Sequence, residues 1–441
     1  MTWVRGQASD YQNWQRAAGQ DGAWSYEDLL PYFVGLETNS IFSNEHHGGT
    51  GPVRVSWPPR INPLNLAAIR AFQELGLPFN PDYNGPQQAG VSVTQNSMGN
   101  ARRSSAATAF LHPARNRPNL TVHTHALAER LLVARSRVEG VEVARFGRRQ
   151  RFLAQNVIVC AGAYNSPRLL MLSGIGPEAE LSKRGIPVRV RSDDVGRHLQ
   201  DHPKVAISAH ARANLGYASH TRGMPMLADG LIYLLTRDGP AATNGIESVS
   251  YFNPVDPQGA PTVGTYHVPV SAEMGAKQLM TSPGLTFENI VLQPRSRGRV
   301  ALRDSDPRSA PLIDPNWLSE PEDVSTMLAG LRYARRAMRM PALAGLLKPE
   351  LLPGLDVEED DELAKFSRRA VSGMAHPVGT CRMGADEDAV VDPSLRVRGV
   401  AGLRVIDASI MPNIPSANTN AAVMAIASKG VDLFRVEQLN S

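Results

Sequence analysis

The sequence predicts an α/β chain broken by an α+β block: a nucleotide-type fold on a mostly parallel sheet, with an antiparallel-sheet domain inserted into it. Three observations carry this prediction. The run Asn156-Val157-Ile158-Val159-Cys160-Ala161-Gly162-Ala163 is almost continuously apolar, as a strand covered on both faces is, and a helical pattern follows it at once. The chain returns to an apolar strand at Leu403-Arg404-Val405-Ile406-Asp407 and finishes in a long helix over 421–438. The intervening residues 205–375 are less regular and read as antiparallel α+β.

Size and composition bound the answer. A chain of 441 residues exceeds what one core usually supports, so two closely packed domains are expected. Apolar residues at 42% and charged residues at 20% fit a globular enzyme rather than a disordered chain. The formal net charge is only +4, and the arginines stand in isolated doublets such as Arg102-Arg103 and Arg335-Arg336. A nucleic-acid partner, which wants a dense basic patch with aromatics, is not expected. Only Cys160 and Cys381 are present, so no disulfide framework supports the fold, and a reduced, cytoplasmic setting is the expectation. The first residues lack a basic segment followed by an apolar one, and no run of about 18 apolar residues occurs. Neither secretion nor an integral membrane segment is expected.

In chain order, Trp24 to Leu30 reads as the start of a helix, with Ser25 as cap and Asp28 as the acidic third residue. His-Gly-Gly-Thr-Gly from His47 leads into a short strand ending near Val55, and Leu64, Leu66, Ile69, Phe72 and Leu75 mark a helix over 64–76. Residues 119–126, NLTVHTHA, read as a strand, and residues 130–146 as a hairpin. After the apolar run at 156–163, Ser166 reads as a helix cap with Pro167 at the first helical position and Gly174 as the stop. A strand over 297–302 and an amphipathic helix over 324–340 complete the middle block.

The chemistry concentrates near the C-terminus. His376 precedes Pro377, whose ring favours an extended backbone at the histidine. Asn418 follows 42 residues later in a Pro-Ser-Ala-Asn loop, where an ordinary turn residue would also fit. Cys381 near His376 suggests a thiol nucleophile with its base, but no oxyanion motif accompanies it, and Gly-x-Ser-x-Gly is absent. His198 and His202 stand four apart, as metal ligands on a helix do, yet the glutamate of an HExxH site is missing and no third ligand is evident. No metal is expected.

Taken together, Ala375-His376-Pro377-Val378-Gly379-Thr380-Cys381, Asp407-Ala408, Asn418-Thr419-Asn420 and the segment GAYNSPRLLMLSGIG at 162–176 resemble the glucose-methanol-choline (GMC) oxidoreductase family. Gly196-Arg197-His198-Leu199-Gln200-Asp201-His202 is similar to that family's Gly-x-Asn-Leu-Gln-Asp-His, with His198 where asparagine is usual. The resemblance covers essentially the whole chain. It implies FAD as cofactor and oxidation of a primary or aryl alcohol to an aldehyde, with oxygen or a quinone or other carrier as electron acceptor. By the same likeness, His376 lies over the flavin N5 edge and accepts the substrate hydroxyl proton, while Asn418 orients the alkoxide oxygen. Asp407 and Ala408 lie along the FAD diphosphate and ribitol, Thr419 and Asn420 face the flavin pyrimidine at a helix N-terminus, and Ala128 holds adenine through its backbone. The resemblance divides the chain into an FAD-binding domain (1–40, 104–204 and 376–441) and a substrate domain (41–103 and 205–375).

One departure matters. The family opens with a strand, a Gly-x-Gly-x-x-Gly turn and a helix, and no such element occurs here. Met1-Thr2-Trp3-Val4-Arg5-Gly6, with Asp10-Tyr11 and Trp14, looks like an internal family segment. The expectation is therefore an incomplete FAD-binding nucleotide fold, N-terminally truncated, with impaired hold on FAD. A catalytically silent remnant acting as a binding module, and hydroxynitrile lyase chemistry on the same fold, are the alternatives.

Overall fold

The apolar run at 156–163 forms a strand over Val157–Val159, lying parallel to Leu403–Val405 in the register Val157 with Leu403 and Val159 with Val405. The structure, a computed structural model, describes residues 2–271 and 282–439. The strand is not covered on both faces as predicted: Val159 is buried but Ile158 is 41% exposed. Alternate side chains of a strand point to opposite faces, and only one face of this pair meets the core.

The following helix runs Gly162–Leu172, not from Ser166. Its start is fixed from across the chain. The Asp407 carboxylate accepts the Gly162 N–H at 2.8 Å and a hydrogen bond from the Ser166 hydroxyl, so a distant anion satisfies a free donor of the first turn. Pro167 therefore sits inside the helix rather than at its head. The stop is as expected: Gly174 follows the last turn with φ +84°, a left-handed conformation that favours glycine.

Residues 119–126 are not a strand. The regular strand begins at Ala126, and 121–124 have no repeating structure and lie exposed. The hairpin itself forms, Ala126–Ala134 against Arg137–Arg145, with Arg148–Leu153 adding a third strand. Arg135 and Ser136 both have positive φ at its tip, the turn whose twist matches a two-residue hairpin. Ser25 and Asp28 close a reciprocal capping box on the helix Tyr26–Leu36, and Asn62 caps Pro63–Glu74.

The middle block holds an antiparallel sheet in the order Leu347–Leu352, Pro203–Ala211, Gly284–Val291, Val263–Val268, Ser248–Phe252, Gly90–Val93. One face packs on the helices Pro63–Glu74 and Pro321–Met338 through Phe72, Phe287, Ile207, Met327 and Leu331. The other face presents Tyr251, Tyr266, Ile290 and Leu292 towards Val4 and Ala417. A second large core gathers Trp3, Trp14 and Trp24 with Leu170, Val378, Val405 and Ile426, and it includes Val53 and Val55. The helix Asn420–Leu439 is the last described element, and the candidate residues lie between the second core and the sheet face that carries Tyr266.

Candidate active site

Two segments bring the chemistry together. Residues 198–202 and 375–380 run antiparallel, with Gln200 N donating to Val378 O at 3.1 Å and Val378 N to Gln200 O at 2.9 Å. Ala375 takes φ +59°, a strained value for alanine, and turns the next residue inward. The His376 N–H then donates to Asp201 Oδ1 at 2.8 Å. Gly379, at φ +91°, is required: a Cβ there would stand 2.4 Å from the His198 carbonyl oxygen.

The His376 ring is held at both nitrogens. Its Nδ1 is 3.0 Å from His202 Nδ1, with the two rings perpendicular, and its Nε2 is 3.1 Å from Asn418 Nδ2. Outer partners fix the direction of each hydrogen bond. The Tyr266 hydroxyl donates to Asn418 Oδ1, so the amide presents its NH2 to His376 Nε2, which accepts. The His376 proton therefore resides on Nδ1 and is donated to His202 Nδ1. His202 in turn carries its proton on Nε2 and donates it to Leu292 O at 2.9 Å. The chain of four bonds leaves one tautomer, with the His376 Nε2 lone pair facing Asn418.

Electrostatics keep both rings neutral. Burial pushes His202 down to about 4. His376 is held well below the usual histidine range by burial and then by its neighbour His202. Burial also raises Asp201 to about 6, against the backbone N–H groups that favour its charge. At neutral pH the group is an unprotonated imidazole beside a carboxylate, which suits it to accept a proton.

The other histidine and the thiol go elsewhere. The 196–202 segment is not helical, and the His198 ring turns to Asp194 at 3.2 Å, so it shares no face with His202. Cys381 is buried, burial pushes its thiol well above the usual range, and among the described residues no hydrogen bond joins it to the His376 ring, whose partners are His202 and Asn418. The thiol-nucleophile reading fails on both counts.

Residues 1–204 match the N-terminal family model described as GMC oxidoreductase, and residues 294–427 match the C-terminal one. An alcohol dehydrogenase [acceptor] of Pseudomonas putida is 36% identical across 98% of this chain and 79% of its own length. An oxygen-dependent choline dehydrogenase of Burkholderia multivorans is 37% identical across 99% of this chain and 77% of its own. The chain belongs to the GMC oxidoreductase family. Among solved structures, pyridoxine 4-oxidase from Mesorbium loti superposes with a TM-score of 0.89 at 31% identity, over 99% of this chain and 82% of that one. A formate oxidase variant of Aspergillus oryzae reaches 0.92 at 26% identity, over 100% and 82%.

FAD is the cofactor of this GMC oxidoreductase, and the residues fit it. Cys160 and Ala161 lie exposed at the carboxyl end of the parallel strand pair, and a Cβ built on Gly162 meets nothing within 4 Å. Open space at that end of parallel strands is where dinucleotides bind in such folds. The helix Asn420–Leu439 presents its first-turn N–H groups just after Asn418 and Thr419, a positive end next to the imidazole. Thr419 is half-buried and Asn420 exposed there, and Ala408 is half-buried in the short turn after Asp407. Asp407 itself is spent on protein donors: Gly162 N and Ser166 Oγ on one oxygen, Ser409 N and Oγ on the other. Ala128 sits on its strand opposite Val143, joined to none of these by a hydrogen bond among the described residues.

Sequence reasoning missed the roles of His202, Asp201 and Tyr266. The first two stand in the quoted Gln-Asp-His motif, which reads as a family likeness without a part assigned to either residue. Tyr266 carries no local signal at all, since it is one aromatic in a buried strand.

Proposed function

We propose that this chain oxidises a primary or aryl alcohol to the aldehyde, with His376 as the base and Asn418 as the orienting donor. The observation that supports this reading is the 3.1 Å contact between Asn418 Nδ2 and His376 Nε2, two groups 42 residues apart in sequence held in one tautomer. Bound FAD supplies the acceptor for the two electrons that leave with the α-hydrogen. His376 Nε2 takes the hydroxyl proton, Asn418 donates to the substrate oxygen, and His202 Nδ1 accepts the hydrogen bond from the proton on His376 Nδ1, so that the imidazole cannot turn over. Asp201 holds the backbone of His376, and Ala128, Ala408, Thr419 and Asn420 are the proposed cofactor contacts, with Asp407, its carboxylate spent on Gly162, Ser166 and Ser409, proposed to line the cofactor through its backbone.

The match to an alcohol dehydrogenase over nearly the whole chain supports an alcohol substrate. Whether oxygen, a quinone or another carrier reoxidises the cofactor is decided by pocket shape. His376→Ala is expected to slow flavin reduction by about 10²-fold or more in anaerobic stopped-flow mixing with a panel of alcohols. A near-normal reductive half-reaction would place the base elsewhere.

A further inference from the structure

We infer that the helix Gly223–Thr236 is an interfacial anchor that lays this enzyme on an anionic phospholipid surface. Its sequence, GMPMLADGLIYLLT, is apolar around nearly its whole circumference, a composition that belongs in a core or a lipid phase. Here it is in neither. Met224 and Leu235 are each 76% exposed and Leu234 67%, with Leu227, Leu231 and Ile232 exposed beside them.

The helix is attached by polar pegs rather than by its apolar surface. Asp229, its only acidic residue, is tucked inward against His220 Nδ1 at 2.6 Å, and the Tyr233 hydroxyl donates to Ala101 O at 3.0 Å. The outward surface therefore carries no negative charge.

Positive charge surrounds it. Arg222 precedes the helix and Arg237 follows it, and the Ala101 contact sets it beside Arg102 and Arg103. Arg102, Arg103 and Arg222 are exposed and form no ion pair among the described residues. Arg237, Arg102 and Arg103 line one open groove together with Trp57, a half-exposed ring of the kind that seats at a membrane–water boundary.

Length and exposure choose the occupant. Fourteen residues make a rod of about 21 Å, too short for a hydrocarbon core of about 30 Å, and no described helix is long and apolar enough to cross a membrane. A second folded copy would cover one side of the rod and leave the rest wet. The acyl–headgroup boundary can receive an all-round apolar rod while phosphates meet the flanking arginines.

The test is flotation of the full chain with vesicles of phosphatidylcholine alone or mixed with phosphatidylglycerol. The wild-type chain is expected to float with the mixed vesicles. Leu231→Glu/Leu234→Glu/Leu235→Glu should weaken this on the order of tenfold or more, and Arg102→Gln/Arg103→Gln/Arg222→Gln should erase the preference for the anionic lipid. All these residues are exposed, so unchanged circular dichroism and thermal melting are expected for both variants. A wild-type chain that stays unbound overturns the inference, as does flotation undiminished by the triple glutamate variant. A dimer seen by sedimentation velocity and lost in that variant, with no lipid binding, would instead assign the helix to a second copy.

Discussion

At the scale of single residues, the tautomer of His376 is decided two bonds away from it. The Tyr266 hydroxyl fixes which end of the Asn418 amide faces the imidazole, and burial raises that hydroxyl to about 12, so it remains a donor throughout the working range. Tyr266→Phe removes one hydrogen bond of about 1 kcal/mol and frees the amide to rotate, so flavin reduction should slow by roughly fivefold with the fold intact. A wild-type rate in stopped-flow mixing would show that the amide is oriented by something else. His202 makes a prediction with a pH sign. Its folded value of about 4 lies below the ordinary 6.5, so its contribution to stability is present above 6.5 and lost as pH falls towards 4. In urea unfolding, the wild-type protein should lose about 3 kcal/mol relative to His202→Gln across that interval, since glutamine has nothing to protonate. The lowered His376 acts in the same direction on rate, placing the acidic limb of the reduction profile below 6.5.

At the scale of elements, what the sequence disclosed followed the reach of the interactions. The capping box of Ser25 and Asp28 lies within four residues and was legible, and Ser25→Ala should cost about 1 kcal/mol in chemical denaturation. The start of the Gly162–Leu172 helix was misplaced because its cap, Asp407, is 245 residues away in sequence. No local pattern encodes that. Residues 119–126 show the reverse error: their β-forming side chains promised a strand, but a strand needs a partner, and none pairs with 121–124. Of the site, His376 and Asn418 were legible as motif positions, whereas Tyr266 was not, because sheet register alone brings it there. The contrast between near and distant caps is itself testable. Asp407→Ala strands four donors, three of them on the buried Ser166 and Ser409, so it should cost about 3 kcal/mol or more against the single unit for Ser25. Equal losses from the two variants would mean that the long-range cap is dispensable.

At the scale of the whole molecule, a buried carboxylate is one of the ties between the two cores. Asp10, on the helix Ala8–Ala18, accepts from Ser416 N at 2.7 Å, Ser416 Oγ at 3.0 Å and Gln293 Nε2, as well as from Gln7 N at 2.8 Å. It thus ties the N-terminal helix to the loop that carries Asn418 and to the end of the antiparallel sheet. Trp14 reinforces the tie by donating to Asn413 O at 2.8 Å. Burial dominates the Asp10 environment and raises it to about 6 in spite of these four donors. The sign follows: a folded value above the unfolded 3.8 gives stability that is full below 3.8 and lost as pH rises through 6. Relative to Asp10→Asn, whose amide cannot ionise, the wild-type protein should lose about 3 kcal/mol between pH 4 and pH 7 in urea unfolding. The amide variant also forfeits part of the acceptor set, but that loss is independent of pH and shifts the two curves without changing their slopes. Because Ser416 is two residues from Asn418, a loosened loop should slow flavin reduction in the variant as well. Parallel stability curves would show that the cores are held together without the carboxylate, which is then a passenger.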